Sequence, residues 1–344
     1  MTDTESDGNG SEPLVKVDNL VKYYPIYGGL FRHKLGDVKA VDDVSFEIRE
    51  GEVLGLVGES GCGKSTLGRT LIRLQPATSG EASLAGESIF AKRGSDLKRM
   101  RRRMQIIFQD PVSSLNPRMP VNDIIGEGLL AQADRENGWR NRKARDERIG
   151  LYLERVGLRR DYARRYPHEF SGGQRQRIGI ARALALEPDF VVCDEPVSAL
   201  DVSIQSQILN LLKRLRKEMG LTMIFISHDI SVVRYIADRI AVMYLGRIVE
   251  LGEAETIVDD PFHIYTRALM SAIPQPDPRV ERSRQRILLR GDPPSPLNPP
   301  TGCHFWPRSP VPHDEEMKRV EPQLVEISPG HFAANCPFCL QRAS

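Results

Sequence analysis

The sequence predicts an α/β fold, with a mainly parallel sheet core that carries helices on both faces. Short apolar runs at residues 53–57, 190–193 and 224–226 are predicted to be buried strands. Helical patterns lie between them, and strands that alternate with helices usually form a parallel sheet. Residues 111–186 differ, because they are rich in Arg and Glu and contain no clear buried strand. They hold a helical pattern of apolar residues at Ile149, Leu151, Leu153 and Val156. We expect this stretch to be an inserted helical subdomain.

A glycine-rich loop lies between the first apolar run and a helical pattern that begins near Lys64 and carries Leu67, Leu71 and Leu74 on one face. It matches G-x-x-x-x-G-K-[ST], in which glycines let backbone N–H groups approach phosphates closely. Lys64 is expected to reach the β- and γ-phosphates and Ser65 to hold Mg²⁺. The predicted nucleotide-binding residues here are Gly58, Ser60, Gly61, Cys62, Gly63, Lys64, Ser65 and Thr66.

The apolar run at residues 190–193 ends in two carboxylates, Asp194 and Glu195. Adjacent side chains on a strand point to opposite faces, so the two acids can have different roles. We expect Asp194 to bind Mg²⁺, directly or through water, and Glu195 to act as the general base on the attacking water. The alternative is a solvated turn, but the position of the pair after a phosphate-binding loop favours catalysis.

Residues 170–174, Phe-Ser-Gly-Gly-Gln, resemble the signature of ATP-binding cassette (ABC) ATPases. The resemblance covers roughly residues 14–340. It implies a nucleotide-binding domain over residues 13–260 that includes an antiparallel β subdomain. It also implies that the signature of one subunit closes over ATP held by another. The signature residues are Ser171, Gly172, Gly173 and Gln174; phenylalanine precedes them where the family usually has leucine, and an apolar residue is kept.

The same resemblance assigns four further residues. Gln109, at the end of an expected strand from residue 106, is similar to the Q-loop glutamine, a Mg²⁺ or water ligand that also faces the membrane partner. His228 resembles the switch histidine that contacts the γ-phosphate, and Asp201 belongs to a D-loop-like segment. Tyr24 resembles the residue that stacks on adenine, with Tyr23 and Tyr27 as nearby alternatives. The expected catalytic residues are therefore Lys64, Glu195 and His228, and the expected Mg²⁺ ligands are Ser65, Gln109 and Asp194.

Composition narrows the remaining function classes. The 344 residues carry a net charge of +2, which indicates no particular polyanionic partner. The sequence contains no run of 18 apolar residues, so we predict no membrane span. Residues 1–12 are expected to be a disordered polar tail. Basic runs at residues 98–103 and 140–148 are expected to be solvated helix faces, with nucleic-acid binding as the alternative. The five cysteines fit a reducing compartment.

Residues 261–344 form an extension with a helical start and a Pro-rich stretch, followed by Gly302-Cys303-His304-Phe305-Trp306. This extension resembles that of the ATP-binding subunits of oligopeptide/dipeptide ABC importers, and nickel importers share the pattern. The resemblance implies an ATP-hydrolysing subunit at the cytoplasmic face of the cell membrane. Its implied partners are two transmembrane permease subunits, a second ABC ATPase subunit that is a related chain or a copy of this one, and an extracytoplasmic solute-binding protein, but no nucleic acid.

Two other functions compete with an importer ATPase. A soluble ABC ATPase that acts on nucleic acid or ribosomes would carry long coiled coils or two cassettes. Here, Lys64 and Ser171 are 107 positions apart with no heptad run between them. A protein that senses ATP without hydrolysing it would lack Glu195 or His228. The solute stays open between dipeptides, longer peptides, nickel and glycosides, because ATPase subunits do not contact cargo in this architecture.

Relatives with this extension often carry four cysteines in a pattern associated with a [4Fe–4S] cluster. Cys303 and one of Cys336 and Cys339 match that pattern, whereas Ser309 stands where the second cysteine is expected and the third position falls in the acidic stretch 314–316. The C-x-x-C pair of Cys336 and Cys339 could compensate and give three thiolates. Three thiolates with a histidine would instead suit zinc, and loose cysteines in a poorly ordered tail are the third alternative. The histidines in question are His304, His313 and His331. No metal ligand is assigned on this basis.

Overall fold

The computed structural model describes residues 12–28, 33–134, 138–273, 279, 286–311, 314–315 and 318–340. Apart from Glu12, the predicted tail lies outside the described residues, as does His313. The strands are β1 (Val15–Gly28), β2 (His33–Ile48), β3 (Val53–Val57), β4 (Ser79–Leu84), β5 (Glu87–Ser88), β6 (Met104–Ile107), β7 (Phe190–Asp194), β8 (Thr222–Ile226), β9 (Arg239–Tyr244), β10 (Arg247–Glu253), β11 (Leu324–Ser328) and β12 (His331–Ala334). The α-helices are α1 (Lys64–Leu71), α2 (Gly94–Arg103), α3 (Val121–Ala131), α4 (Arg142–Arg155), α5 (Gly172–Leu184), α6 (Val202–Met219), α7 (Ile230–Ile236), α8 (Ala254–Asp259), α9 (Ile264–Ala272) and α10 (Pro337–Leu340).

The larger sheet has eight strands in the order β11-β12-β10-β9-β3-β8-β7-β6. Strands β9, β3, β8, β7 and β6 are parallel, whereas β10, β12 and β11 add antiparallel pairs at one edge. Every residue of β3, β7 and β8 is buried, which explains why they are apolar along their whole length. The predicted mainly parallel core is confirmed.

The core lies on both faces of this sheet, because successive side chains of a strand point in opposite directions. In β3, Val53 and Val57 join a cluster that includes the helices between β6 and β7. Leu54 and Leu56 join a second cluster shared with the smaller sheet. The loops that follow β3, β6, β7 and β8 all leave at the carboxyl edge of the parallel strands, where α/β proteins bind ligands.

The smaller sheet is antiparallel throughout, in the order β2-β1-β4-β5. Its largest part is the long hairpin of β1 and β2, and β4 pairs with the other edge of β1. The implied antiparallel β subdomain is therefore present. It contributes Tyr24, Val38 and Ala40 to the nucleotide site described below.

Helices α3, α4 and α5 lie between β6 and β7, and the described residues of that stretch hold no strand. Ile149 and Leu153 of α4 are buried as expected, but Leu151 is 39% exposed, because a residue two positions along turns to the opposite side. The expectation for Leu74 was also wrong. Helix α1 ends at Leu71, so Leu74 lies beyond it and is 53% exposed.

The C-terminal extension is joined to the larger sheet. Helix α9 begins at Ile264, in agreement with the predicted short helix. Farther along, β11 and β12 form a hairpin, and β12 pairs with β10 at Leu251 and Phe332. The sequence indicated no strands here. Among the described residues, no helix has the length and apolar character needed to cross a membrane.

Candidate active site

The phosphate loop is held by close backbone packing between β3 and α1. Gly63 has φ of 109°, and a Cβ at this position would lie 2.0 Å from the carbonyl oxygen of Ala40. Only glycine satisfies both restrictions. Lys64 follows as the first residue of α1 and is 4% exposed. Its Nζ donates to the carbonyl oxygens of Gly58 and Glu59 at 2.7 and 2.8 Å. The loop therefore forms a ring of backbone around the lysine ammonium.

Behind the loop, Asp194 is fully buried at the end of β7. Its Oδ1 accepts from the Ser65 hydroxyl at 2.6 Å, and its Oδ2 accepts from the Arg69 guanidinium at 3.0 and 3.2 Å. A serine that gives its proton to Asp194 directs its lone pairs outward, where a hard cation such as Mg²⁺ can bind. Sequence reasoning missed Arg69, which no motif marks.

Three of the predicted residues meet at one carboxylate oxygen. Oε2 of Glu195 accepts from the Gln109 side-chain amide at 3.0 Å and lies 3.2 Å from Nδ1 of His228. Glu195 has φ of 48°, a conformation that non-glycine residues seldom adopt and that often marks functional sites. Strand β6 ends at Ile107, so Gln109 lies on the following loop instead of ending the strand as expected. Three loops thus place their polar side chains together.

These residues border one cavity of about 630 Å³. The cavity is not lined by three of the predicted residues, Gly58, Cys62 and Asp194. Asp194 lies behind Ser65. Cys62 is buried, and this burial raises the pKa of its thiol. The lining residues are Tyr24, Val38, Ala40, Ser60, Gly61, Gly63, Lys64, Ser65, Thr66, Gln109, Glu195, His228 and Pro296. Of these, Val38, Ala40 and Pro296 were not predicted, because they reach the cavity only through the smaller sheet and the extension.

Tyr24 lines the cavity from β1, as a residue that stacks on adenine must. Its hydroxyl donates to Gln75, which follows α1, and the Lys22 ammonium lies 4.7 Å from the centre of its ring. The exposed Tyr27 and the Asp42-bonded Tyr23 do not line the cavity. Tyr24 is therefore the tyrosine of this trio whose position fits an adenine contact.

The signature lies apart from the cavity. Ser171 caps α5, its Oγ accepting from the Gln174 N–H at 3.4 Å while Gln174 Oε1 accepts from the Ser171 N–H at 3.0 Å. Ser171 and Gly172 are exposed, and a Cβ on Gly173 would lie 2.6 Å from Ile204 of α6. Asp201 precedes α6 and is also exposed. Signature and D-loop thus form one surface at the starts of α5 and α6.

Three cysteines of the extension are brought together in the structure. The sulfurs of Cys303, Cys336 and Cys339 lie within 4.8 Å of one another, and those of Cys303 and Cys339 are 3.5 Å apart. All three cysteines are buried. The histidines considered as a further ligand are placed elsewhere. His331 Nε2 contacts Glu250 at 2.8 Å, and His304 lies beside Asp42 and Glu321.

The parallel core, phosphate loop, strand-end carboxylates and signature together define an ATP-binding cassette ATPase. A family model described as ABC transporter matches residues 41–198, and one described as oligopeptide/dipeptide transporter, C-terminal region, matches residues 249–315. The chain is 50% identical to the oligopeptide transport ATP-binding protein AppF of Bacillus subtilis (strain 168), over 94% of this chain and 97% of AppF. It therefore belongs to the ATP-binding subunits of the ABC transporter family.

Solved structures agree with this assignment. The chain is 28% identical to cbiO1 from Clostridium perfringens, with a TM-score of 0.59 over 73% of this chain and 92% of that one. It is 30% identical to a dimeric ATP-binding cassette solved with ADP and Pi after hydrolysis, with a TM-score of 0.59 over 70% of this chain and 98% of the other. This chain is accordingly an ATPase of the ABC type.

Proposed function

We propose that this chain hydrolyses ATP to power an importer of short peptides or related solutes. The observation that carries the chemistry is the meeting of Gln109, Glu195 and His228 at the cavity that Lys64 and Ser65 also line. The observation that carries the solute class is the match of residues 249–315 to the oligopeptide/dipeptide C-terminal region. The likeness to AppF, an oligopeptide transport protein by name, supports the same class.

The proposed reaction is attack of water on the γ-phosphate. Gln109 and His228 hold Oε2 of Glu195, which leaves Oε1 to accept the proton of the attacking water. Lys64 neutralises charge on the β- and γ-phosphates. Mg²⁺, when bound, neutralises further phosphate charge. Ser65 would hold it with Gln109, and Asp194 would act mainly by orienting the Ser65 hydroxyl.

The proposed working unit is a dimer of ATPase subunits. Because Ser171 is exposed and lies outside the cavity, it is available to a neighbouring subunit. Ser171 to Gln174 of one subunit would cap the ATP held by the other, and Asp201 would lie at the same interface. The helix N-terminus beneath Ser171 favours contact with phosphate. The second subunit is a related chain or a copy of this one.

The proposed location is the cytoplasmic face of the cell membrane, against two transmembrane permease subunits. An extracytoplasmic solute-binding protein would deliver the solute to these permeases. Nucleic acid is not a proposed partner. Several arginines of the two basic runs already form ion pairs, such as Arg99 with Asp96 at 2.6 Å and Arg103 with Asp189 at 2.5 Å. These pairs reduce the positive charge that a phosphate backbone would require.

Affinity purification of the whole chain from detergent-solubilised native membranes tests this proposal. We expect two multi-spanning permeases and a second ATPase with the same type of extension to co-purify. Reconstituted with the solute-binding protein, the complex should import short peptides in the presence of ATP. Recovery with ribosomes or DNA, and without membrane chains, would overturn the importer while leaving the ATPase chemistry in place.

The three cysteines do not fit a four-thiolate iron–sulfur cluster. The chain has five cysteines, and Cys62 and Cys193 belong to the nucleotide site and to β7. Ser309, at the sequence position where one of the four cysteines is expected, is buried, and its hydroxyl accepts from the Val311 N–H at 3.2 Å. A cluster would also place each sulfur on a different iron, and therefore farther apart than 3.5 Å.

A single soft cation suits the same three sulfurs better. Zn–S bonds of about 2.3 Å place tetrahedral sulfurs about 3.8 Å apart, close to the spacing between Cys303 and Cys339. We therefore propose one Zn²⁺ on Cys303, Cys336 and Cys339, which lose their thiol protons on binding. Elemental analysis of the purified chain should find close to one zinc, lost in Cys339→Ser and kept in Cys62→Ser. Iron with sulfide, or oxidation of Cys303 and Cys339 to a disulfide without metal, would contradict this assignment.

A further inference from the structure

Glu59, the second residue of the phosphate loop, is held at three separate groups. Its carbonyl oxygen accepts from Lys64 Nζ at 2.8 Å. Its backbone N–H donates to the Tyr265 hydroxyl at 3.0 Å, and its carboxylate accepts from the Arg308 guanidinium at 2.7 Å. Tyr265 lies on α9 and Arg308 on the short 3₁₀ helix Trp306–Arg308, both after residue 260. Two of the three contacts therefore come from the C-terminal extension.

The two extension residues are themselves firmly placed. Arg308 is 7% exposed and Tyr265 is fully buried, whereas the Glu59 side chain is 28% exposed. The Arg308 N–H donates to the carbonyl oxygen of Phe305 at 3.0 Å. The Phe305 ring in turn lies 5.5 Å from that of Tyr265, centre to centre. An arginine buried in this way has lost most of its hydration, and its ion pair with Glu59 compensates a charge that would otherwise be buried without a partner.

A second contact reaches the same loop from the other side. The Pro296 carbonyl oxygen accepts from the Lys39 N–H at 3.0 Å, and Pro296 itself lines the nucleotide cavity. The next residue, Ala40, is the one whose carbonyl oxygen excludes any side chain at Gly63. The extension thus contacts the loop directly near its start, at Glu59. It reaches the end of the loop only indirectly, through β2.

We infer that the C-terminal extension positions the phosphate loop for catalysis, with Arg308 and Tyr265 as positioning residues that act on Lys64 through Glu59. Neither residue is expected to touch ATP. Their effect is to fix the backbone carbonyl that holds the lysine ammonium, and so to set where the ammonium meets the β- and γ-phosphates. This inference rests on the proposed role of Lys64 in ATP hydrolysis, and it does not depend on the transported solute.

The test compares Arg308→Met with the wild-type chain, using MgATP affinity and steady-state hydrolysis. Methionine keeps the apolar stem and removes the guanidinium. We expect kcat/KM to fall about ten- to a hundredfold, as for a misplaced reacting group, while the thermal unfolding midpoint stays near that of the wild type. Arg308→Lys should recover part of the loss. Arg290→Met is the matched control, because Arg290 is an exposed extension arginine that does not contact the loop, and it should leave both parameters unchanged.

Glu59→Gln provides a second variant that leaves Arg308 in place. Both changes break the same ion pair, between Glu59 and Arg308. The double variant, Glu59→Gln with Arg308→Met, should therefore lose no more activity than the more impaired of the two single variants. Wild-type kcat/KM in Arg308→Met, or losses that multiply in the double variant, would overturn the inference. Absence of hydrolysis in the wild type would instead contradict the proposed function, so the two failures can be told apart.

Discussion

The two regions that an ATP molecule must meet are built differently in this chain. The phosphate loop is anchored from within: Lys64 is 4% exposed and bound to two loop carbonyls, and Ser65 is bonded to the fully buried Asp194. The signature, by contrast, is exposed at Ser171. The hydrogen bonds that join Ser171 to Gln174 lie within the cap of its own helix. The difference supports the proposal that the signature acts on ATP held by a neighbouring subunit.

The largest expected effect separates chemistry from binding within the phosphate-loop half. Glu195→Gln keeps the size of the side chain and its contact with Gln109 but removes the proton acceptor. Hydrolysis should fall about 10²–10⁴-fold, whereas MgATP affinity should stay close to the wild-type value. Phosphate release and nucleotide titration measure the two quantities. Normal turnover in this variant would mean that another group is the base.

The next prediction tests directly which chain supplies the signature. Ser171→Arg alone should abolish hydrolysis and keep nucleotide binding, because the exposed signature is not part of the cavity in its own chain. In an equimolar mixture with Glu195→Gln, a mixed dimer has one site with an intact Glu195 and an intact Ser171. The mixture should therefore recover a measurable part of the wild-type rate. A mixture as inactive as its components would show that copies of this chain do not share sites.

A third prediction concerns how tightly the phosphate loop is packed. Gly63→Ala places a Cβ 2.0 Å from the Ala40 carbonyl oxygen in a left-handed conformation, and MgATP affinity should fall by at least tenfold. Gly61→Ala is the matched control. Gly61 also has a positive φ, of 80°, but nothing lies within 4 Å of its Cβ position. Gly61→Ala should add about 1–2 kcal/mol of backbone strain to the loop. Its loss of MgATP affinity should be much smaller than that of Gly63→Ala. Equal losses would show that the contact with Ala40 is unimportant.

The smallest expected effect is a pH dependence near the phosphate loop. Burial by itself would raise the pKa of Asp42 in β2, but the Tyr23 hydroxyl and the Arg247 guanidinium together lower it. A carboxyl with a lowered pKa in the folded state stabilises the fold above its unfolded pKa, and this contribution is lost as the pH falls through the folded pKa. Asp42→Asn should therefore be less stable than the wild type at neutral pH, and this difference should shrink as the pH falls below about 4, the ordinary pKa of an aspartate. Thermal unfolding against pH checks this; a constant difference would contradict it.

Local sequence predicted most of the cavity, for a clear reason. Lys64, Gln109, Glu195 and His228 each lie within a few residues of the end of a parallel strand, so strand order alone brings them to one edge. The two helical errors, Leu74 and Leu151, arose because apolar residues near a helix end or on its outer face look the same in sequence as buried ones. Periodicity detects a pattern of spacing, but it does not detect what packs against it.

Residues from the extension were not predictable in the same way. Pro296, Arg308 and the β11–β12 hairpin lie in the extension, for which the sequence predicted a short helix and a Pro-rich stretch but no strand. Their partners, Lys39, Glu59 and β10, are far away in the sequence, and no motif links the two sets. The pairing of Arg69 with Asp194 is also long-range, over 125 positions.

The sequence by itself therefore determined the fold class, the class of reaction and the residues proposed to act on the phosphates, because these depend on short segments whose residue types the chemistry dictates. Only the tertiary structure decided that Ser65 and Arg69 share the buried Asp194, that three cysteines meet, and that the extension holds the phosphate loop through Glu59. Such contacts depend on how sheets and loops pack over long separations. A single sequence does not record which of its many charged and apolar side chains become neighbours.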